Sequence, residues 1–164
     1  MRKTIILVIG LLVVIALAGI VFGTDIIVKT QNKEFQKDPG FYKSLGNYLT
    51  GKGDSANAII AYESCLLLGD DDEVRNNLAI LYYQSGKYDE AISQLRILVQ
   101  RSPDHPSYHY DLAINLVDRF RNTDNQNIAD LEEAFAEFEK ANILQPGYAH
   151  SQENIEALKR ILNK

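Results

Sequence analysis

The chain has 164 residues, 46% of them hydrophobic and 24% charged, with a formal net charge of −5. That suffices for one domain with a real core, and the balance excludes a disordered or fibrous chain. From residue 39 onward, 12 Lys+Arg face 19 Asp+Glu, and so acidic a segment is a poor partner for nucleic acid; the single cysteine, Cys65, cannot close an internal disulfide.

Residues 5–22, IILVIGLLVVIALAGIVF, carry no charge and no strongly polar side chain. As a helix they are about long enough to cross a ~30 Å hydrocarbon core. Met1, Arg2 and Lys3 precede them, as in a signal sequence or signal-anchor. Ala16-Leu17-Ala18 has the small-x-small form of a cleavage site, but apolar residues continue to Phe22 and resume at Ile26-Ile27-Val28. No polar c-region of a cleavable signal appears, so an uncleaved transmembrane signal-anchor over 1–23 is expected. The basic N-terminus is expected to stay in the cytoplasm, which would place the remainder on the extracytoplasmic side; Lys29, Lys33 and Lys37 pull the other way. Residues 24–38 are expected to form a juxtamembrane linker, closed by the Pro39-Gly40 break.

Beyond that break the sequence repeats. A shift of 33 residues sets Leu45 on Leu78, Gly46 on Ala79, Gly53 on Gly86, Ala58 on Ala91 and Ile59 on Ile92. A further shift of 34 sets Leu78 on Leu112 and Ala79 on Ala113, and Pro103 precedes Pro146 by 43. Residues 72–85 and 88–101 show apolar positions three and four apart, the pattern of two amphipathic helices. With Tyr82, Tyr88, Ala134, Phe138 and Ala141 added, the pattern resembles the tetratricopeptide repeat (TPR) family over roughly 39–148. The resemblance implies an all-α, right-handed superhelix of helix-turn-helix repeats at 39–71, 72–105 and 106–148, the last with an insertion near 121–130. The tail, 149–164, is expected to be a capping helix, with Ile155, Leu158, Ile161 and Leu162 on its packed face.

Local signals agree with this division. Small residues at 46, 79, 113 and at 58, 91, 134 let paired helices approach closely. Gly53 and Gly86 suit left-handed helix ends, Asp70-Asp71-Asp72 suit the start of the next helix, and Pro103 suits a stop. Three residues depart from the family: Asp70 replaces a proline, Leu98 a small residue, and Phe120 a turn glycine. Thr123 with Gln126 has the form of a capping box, and Ile128, Leu131, Phe135 and Phe138 continue one stripe. The insertion is therefore expected to lengthen the second helix of the third repeat, beginning no later than about residue 131.

Chemistry-bearing residues are sparse. His105 and His109 have metal-pair spacing, but Pro106 separates them and no third ligand is near. Asp70-Asp71-Asp72-Glu73 lacks the alternation and glycine of a calcium loop. No GxSxG, HExxH or Gly-rich phosphate loop occurs. Neither enzymatic activity nor a metal or cofactor is expected.

In the TPR family the first helices of successive repeats line a concave groove that holds a peptide or helix. The resemblance implies that Lys43, Asn47, Asn76, Asn77, Ile80, Tyr83, Tyr110 and Ile114 face it, with Glu73, Ser107, Asp111 and Val117 alongside. Lys43, Asn47 and Asn77 match part of the carboxylate clamp of chaperone-binding TPR adaptors. Ser107 and Asp111 stand where that clamp has basic residues, and Asp111 would repel a carboxylate. The expected function is a membrane-tethered scaffold that binds a protein partner. The alternatives are a self-assembling structural protein, with homo-oligomers formed through exposed faces, and an accessory subunit of a membrane enzyme.

Overall fold

The computed structural model describes residues 38–124 and 126–163, and these contain seven helices. They are α1 (Pro39–Gly51), α2 (Ser55–Leu68), α3 (Asp72–Gln84), α4 (Tyr88–Arg101), α5 (Pro106–Asn122), α6 (Ile128–Leu144) and α7 (Ser151–Leu162). Among the described residues no helix is long and apolar enough to cross a membrane. The expected anchor over 1–23 and the linker up to residue 37 lie outside them.

Each helix packs chiefly on its neighbours in the chain, most tightly within the pairs α1–α2, α3–α4 and α5–α6. This is the all-α arrangement of a helical repeat, in which no pair covers its own apolar face. Ala58, Ala79, Ala91, Ala113 and Ala134 are almost fully buried where paired helices meet. Gly46 is buried against the Tyr62 ring. Leu98, larger than the small residue expected from the resemblance, is fully buried within the α4–α7 core.

Helix ends follow side-chain chemistry. Asp38 caps α1 by accepting from the Gly40 amide, with Pro39 at the first helical position. Asp71 caps α3 by accepting from the Glu73 and Val74 amides. Gly86 ends the α3 turn at φ +71, a left-handed conformation that side chains resist. Asp70 pairs with Arg75 and Arg101, and those two guanidiniums hold its carboxyl well below the usual carboxylate range.

The third pair differs in detail from expectation. Helix α6 begins at Ile128 and has 17 residues against 14 in α4, about one extra turn. Helix α5 also lengthens to 17 residues, running through Phe120 to Asn122. The proposed Thr123–Gln126 capping box does not form. The Thr123 hydroxyl donates to the Arg119 carbonyl at 2.7 Å, closing the preceding helix instead. Asn127 is the cap, accepting from the Ala129 amide at 3.1 Å. On α7, Ile155 and Leu158 are buried and Leu162 half-buried, but Ile161 is 58% exposed. It follows Leu158 by three residues and falls about 120° from Ile155 on the helix, beyond the packed stripe.

Candidate functional site

The residues expected in the groove separate into three groups. On α1, Lys43 donates to Asp71 at 2.9 Å and to Glu73 at 2.7 Å. Asn47 accepts from the Tyr62 hydroxyl at 2.7 Å. Both polar heads are engaged by this chain, and two acidic neighbours neutralise the ammonium on which a carboxylate clamp would depend. On α3, Asn76 and Asn77 are half-buried. Tyr110 of α5 sets its ring edge-on to Phe138 at 5.4 Å and to Tyr148 at 5.7 Å.

The third group converges. Ile80 and Tyr83 of α3 and Ile114 of α5 line a recess of about 80 Å3, together with Ala79, Leu95, Asp111 and Asn115. Its walls are mainly apolar, and its volume suits one side chain rather than a cofactor. The rim is held by Tyr83, whose hydroxyl donates to Asp118 at 2.7 Å and ties α3 to α5. That hydrogen bond pushes the phenol up to about 12, so it stays a donor at neutral pH.

Asn115 stands out as an amide within the buried stripe of Leu112, Ala113 and Leu116. It is 4% exposed, and its Nδ2 donates to the Asp111 main-chain carbonyl at 2.9 Å. Its Oδ1 has no partner. The amide orientation follows from that hydrogen bond, because the opposite one would set oxygen against oxygen. A buried acceptor left unpaired costs about 1–3 kcal/mol.

One helical turn before it, burial pushes the Asp111 carboxyl up to about 6, opposed in part by the charge of His105. The bound proton therefore contributes stability that is full below pH ~4 and is lost as pH rises through about 6. At neutral pH the ionised group opposes folding. Asp111→Asn should accordingly be more stable than the parent at pH 7.5, by about 2 kcal/mol, with the difference vanishing below pH ~4. Urea unfolding of both proteins across that range measures it; a variant less stable at pH 7.5 would contradict this account of the site.

Other titratable groups have structural roles. His109 is buried, its Nε2 donating to the Pro103 carbonyl at 2.8 Å and its Nδ1 lying 2.5 Å from Glu137, which joins α5 to α6. His105 stacks on Tyr108 and contacts Ser107 Oγ, so the two histidines do not converge. Cys65 is 1% exposed, and burial raises its thiol.

Comparison with known proteins gives the fold. A family model for the tetratricopeptide repeat matches residues 49–119. No curated protein sequence matches the chain. A crystal structure of MamA is similar at 15% identity and TM-score 0.67, covering 82% of this chain and 74% of that one. The first TPR of Spaghetti (RPAP3) bound to the HSP90 peptide SRMEEVD is 21% identical, TM-score 0.61, covering 79% and 95%. The Yersinia enterocolitica type III secretion chaperone SycD in complex with a peptide of the translocator YopD is 18% identical, TM-score 0.60, covering 74% and 92%. These likenesses establish a TPR-type helical repeat.

Proposed function

We propose that this chain is a protein-interaction scaffold that holds a segment of a partner protein over the α3–α5 recess, and that residues 5–22 tether it to a membrane. The observation that carries the first part is the recess itself. Apolar side chains from two successive repeats surround polar groups that their own chain leaves unpaired. Water excluded by a bound segment would strengthen any hydrogen bond made there. Two proteins of similar fold hold peptides, which supports the same use here. The tether rests on the apolar run and its basic flank alone, which favour the extracytoplasmic side for residues 39–164.

Crosslinking in intact membranes tests this reading. A captured partner band should fall at least tenfold in Tyr83→Ala combined with Tyr110→Ala, because the first opens the rim and the second loosens α5 against Phe138 and Tyr148. Undiminished capture by the double variant would contradict it.

Self-assembly is a second reading with its own observation. Ile60 and Leu67 of α2 are 59% and 86% exposed, an apolar row away from the recess. Sizing the detergent-solubilised full chain separates the two: strictly monomeric behaviour removes this alternative. Copurification with a defined enzyme activity would instead identify an accessory subunit.

A further inference from the structure

We infer that the α3–α5 recess is built to receive an arginine side chain of the partner segment, with Asp111 and Asn115 accepting its N–H groups. This deepens the proposed scaffold function and rests on it.

Three observations converge. First, among the residues that line this recess the unpaired polar atoms are acceptors. Asn115, 96% buried, has an unpaired Oδ1, and its Nδ2 is already committed to the Asp111 carbonyl. The Asp111 carboxylate accepts no hydrogen bond among the described residues, and the Tyr83 hydroxyl is committed to Asp118. A ligand must therefore bring donors, and more than one. Second, no lysine or arginine lines the recess; His105, whose charge acts on Asp111, is not among its walls, and Lys43 is neutralised by Asp71 and Glu73. The acidic balance beyond residue 39 draws a positive segment toward this surface. An acidic tail, by contrast, would meet Asp111 with nothing to hold it. Third, Ile80, Leu95 and Ile114 offer an apolar sleeve for an aliphatic stem, with the Tyr83 ring at the rim. Arginine fits this better than lysine: its fork reaches two acceptors at once, and its plane packs on an aromatic face. Burial of Asp111 strengthens that pairing because competing water is scarce.

The probe is N-acetyl-L-arginine methylamide, with the citrulline counterpart as a neutral isostere. Both are titrated into the isotope-labelled full chain in detergent, at pH 7.5, while the Asn115 side-chain amide is followed by NMR. A saturable shift at millimolar arginine probe is expected, at least tenfold weaker for citrulline and for Asp111→Asn. Thermal unfolding verifies that the variant is folded. An equal response to citrulline, an unchanged response in Asp111→Asn, or shifts scattered over the acidic surface would overturn the assignment. Partner capture separates the two levels. Capture retained by Asp111→Asn but lost with Tyr83→Ala and Tyr110→Ala refutes the arginine alone, and capture retained by both refutes the groove.

Discussion

Gly46→Val is expected to destabilise the chain by about 3 kcal/mol, with the loss concentrated in α1 and α2. A Cβ at this position would lie 2.3 Å from Tyr62 Cε1 and 2.4 Å from Cδ1, well inside van der Waals contact. Tyr62 cannot step aside cheaply. It is 1% exposed, and its hydroxyl is fixed to Asn47. Valine gains little over glycine in helix propensity, so nothing offsets the clash. Urea unfolding gives the magnitude, and amide hydrogen exchange shows whether α1 and α2 open first. Two controls sharpen the result. Gly51→Ala, with open space around the added methyl, should be neutral or stabilising by up to about 1 kcal/mol. Tyr62→Ala in the Gly46→Val background should destabilise far less than the two single changes summed. A Gly46→Val protein as stable as its parent would show that the α1–α2 contact is looser than described.

Arg119→Leu is expected to cost a further class of energy, about 3–5 kcal/mol. The Arg119 guanidinium donates to Asp130 through Nε at 2.8 Å and Nη2 at 2.7 Å, and to Asp89 through Nη1 at 2.6 Å. One side chain thus joins α4, α5 and α6. Asp130 is 3% exposed, and Arg119 is its hydrogen-bond donor. Without the arginine a carboxylate stays buried and unpaired, which costs more than the pair contributes. The Asp89 contact is exposed and worth little. Pairing Arg119→Leu with Asp130→Leu should therefore recover most of the loss, because two apolar side chains leave no buried charge. Chemical denaturation of the three variants measures this; equal stability of Arg119→Leu and its parent would contradict the role given to the pair.

These features differ in how far they could be read from residue order. Helix positions were legible because the repeat imposes local spacing. Gly86 at a left-handed helix end and buried Ala91 and Ile92 follow from the 33-residue shift and the helical period. The start of α6 at Ile128 was likewise legible from one apolar stripe. Its cap was not, because Thr123 had two possible uses, and the preceding carbonyl at Arg119 is the one it takes. Long-range polar pairings were also hidden. Asp71 read as a cap, which it is, yet it also holds Lys43 from 28 residues away. Arg119 and Asp130 are 11 apart across a turn whose length the insertion obscured. At the recess, Ile80, Tyr83 and Ile114 follow from helix-face spacing, whereas Asn115 is a polar residue inside a stripe that spacing assigns to the core. Its meaning depends on an unpaired oxygen, which only side-chain geometry reveals.

The central claim is that a partner segment seats at the α3–α5 recess and not on the outer apolar row. Placing a photoreactive phenylalanine derivative at single positions of the full chain in intact membranes tests it most directly. The account predicts one partner adduct from Tyr83, at the rim of the recess, and none of that adduct from Leu67 on α2 or Ile143 on α6, which are 86% and 73% exposed. The same adduct from Leu67 or Ile143, with none from Tyr83, would contradict it.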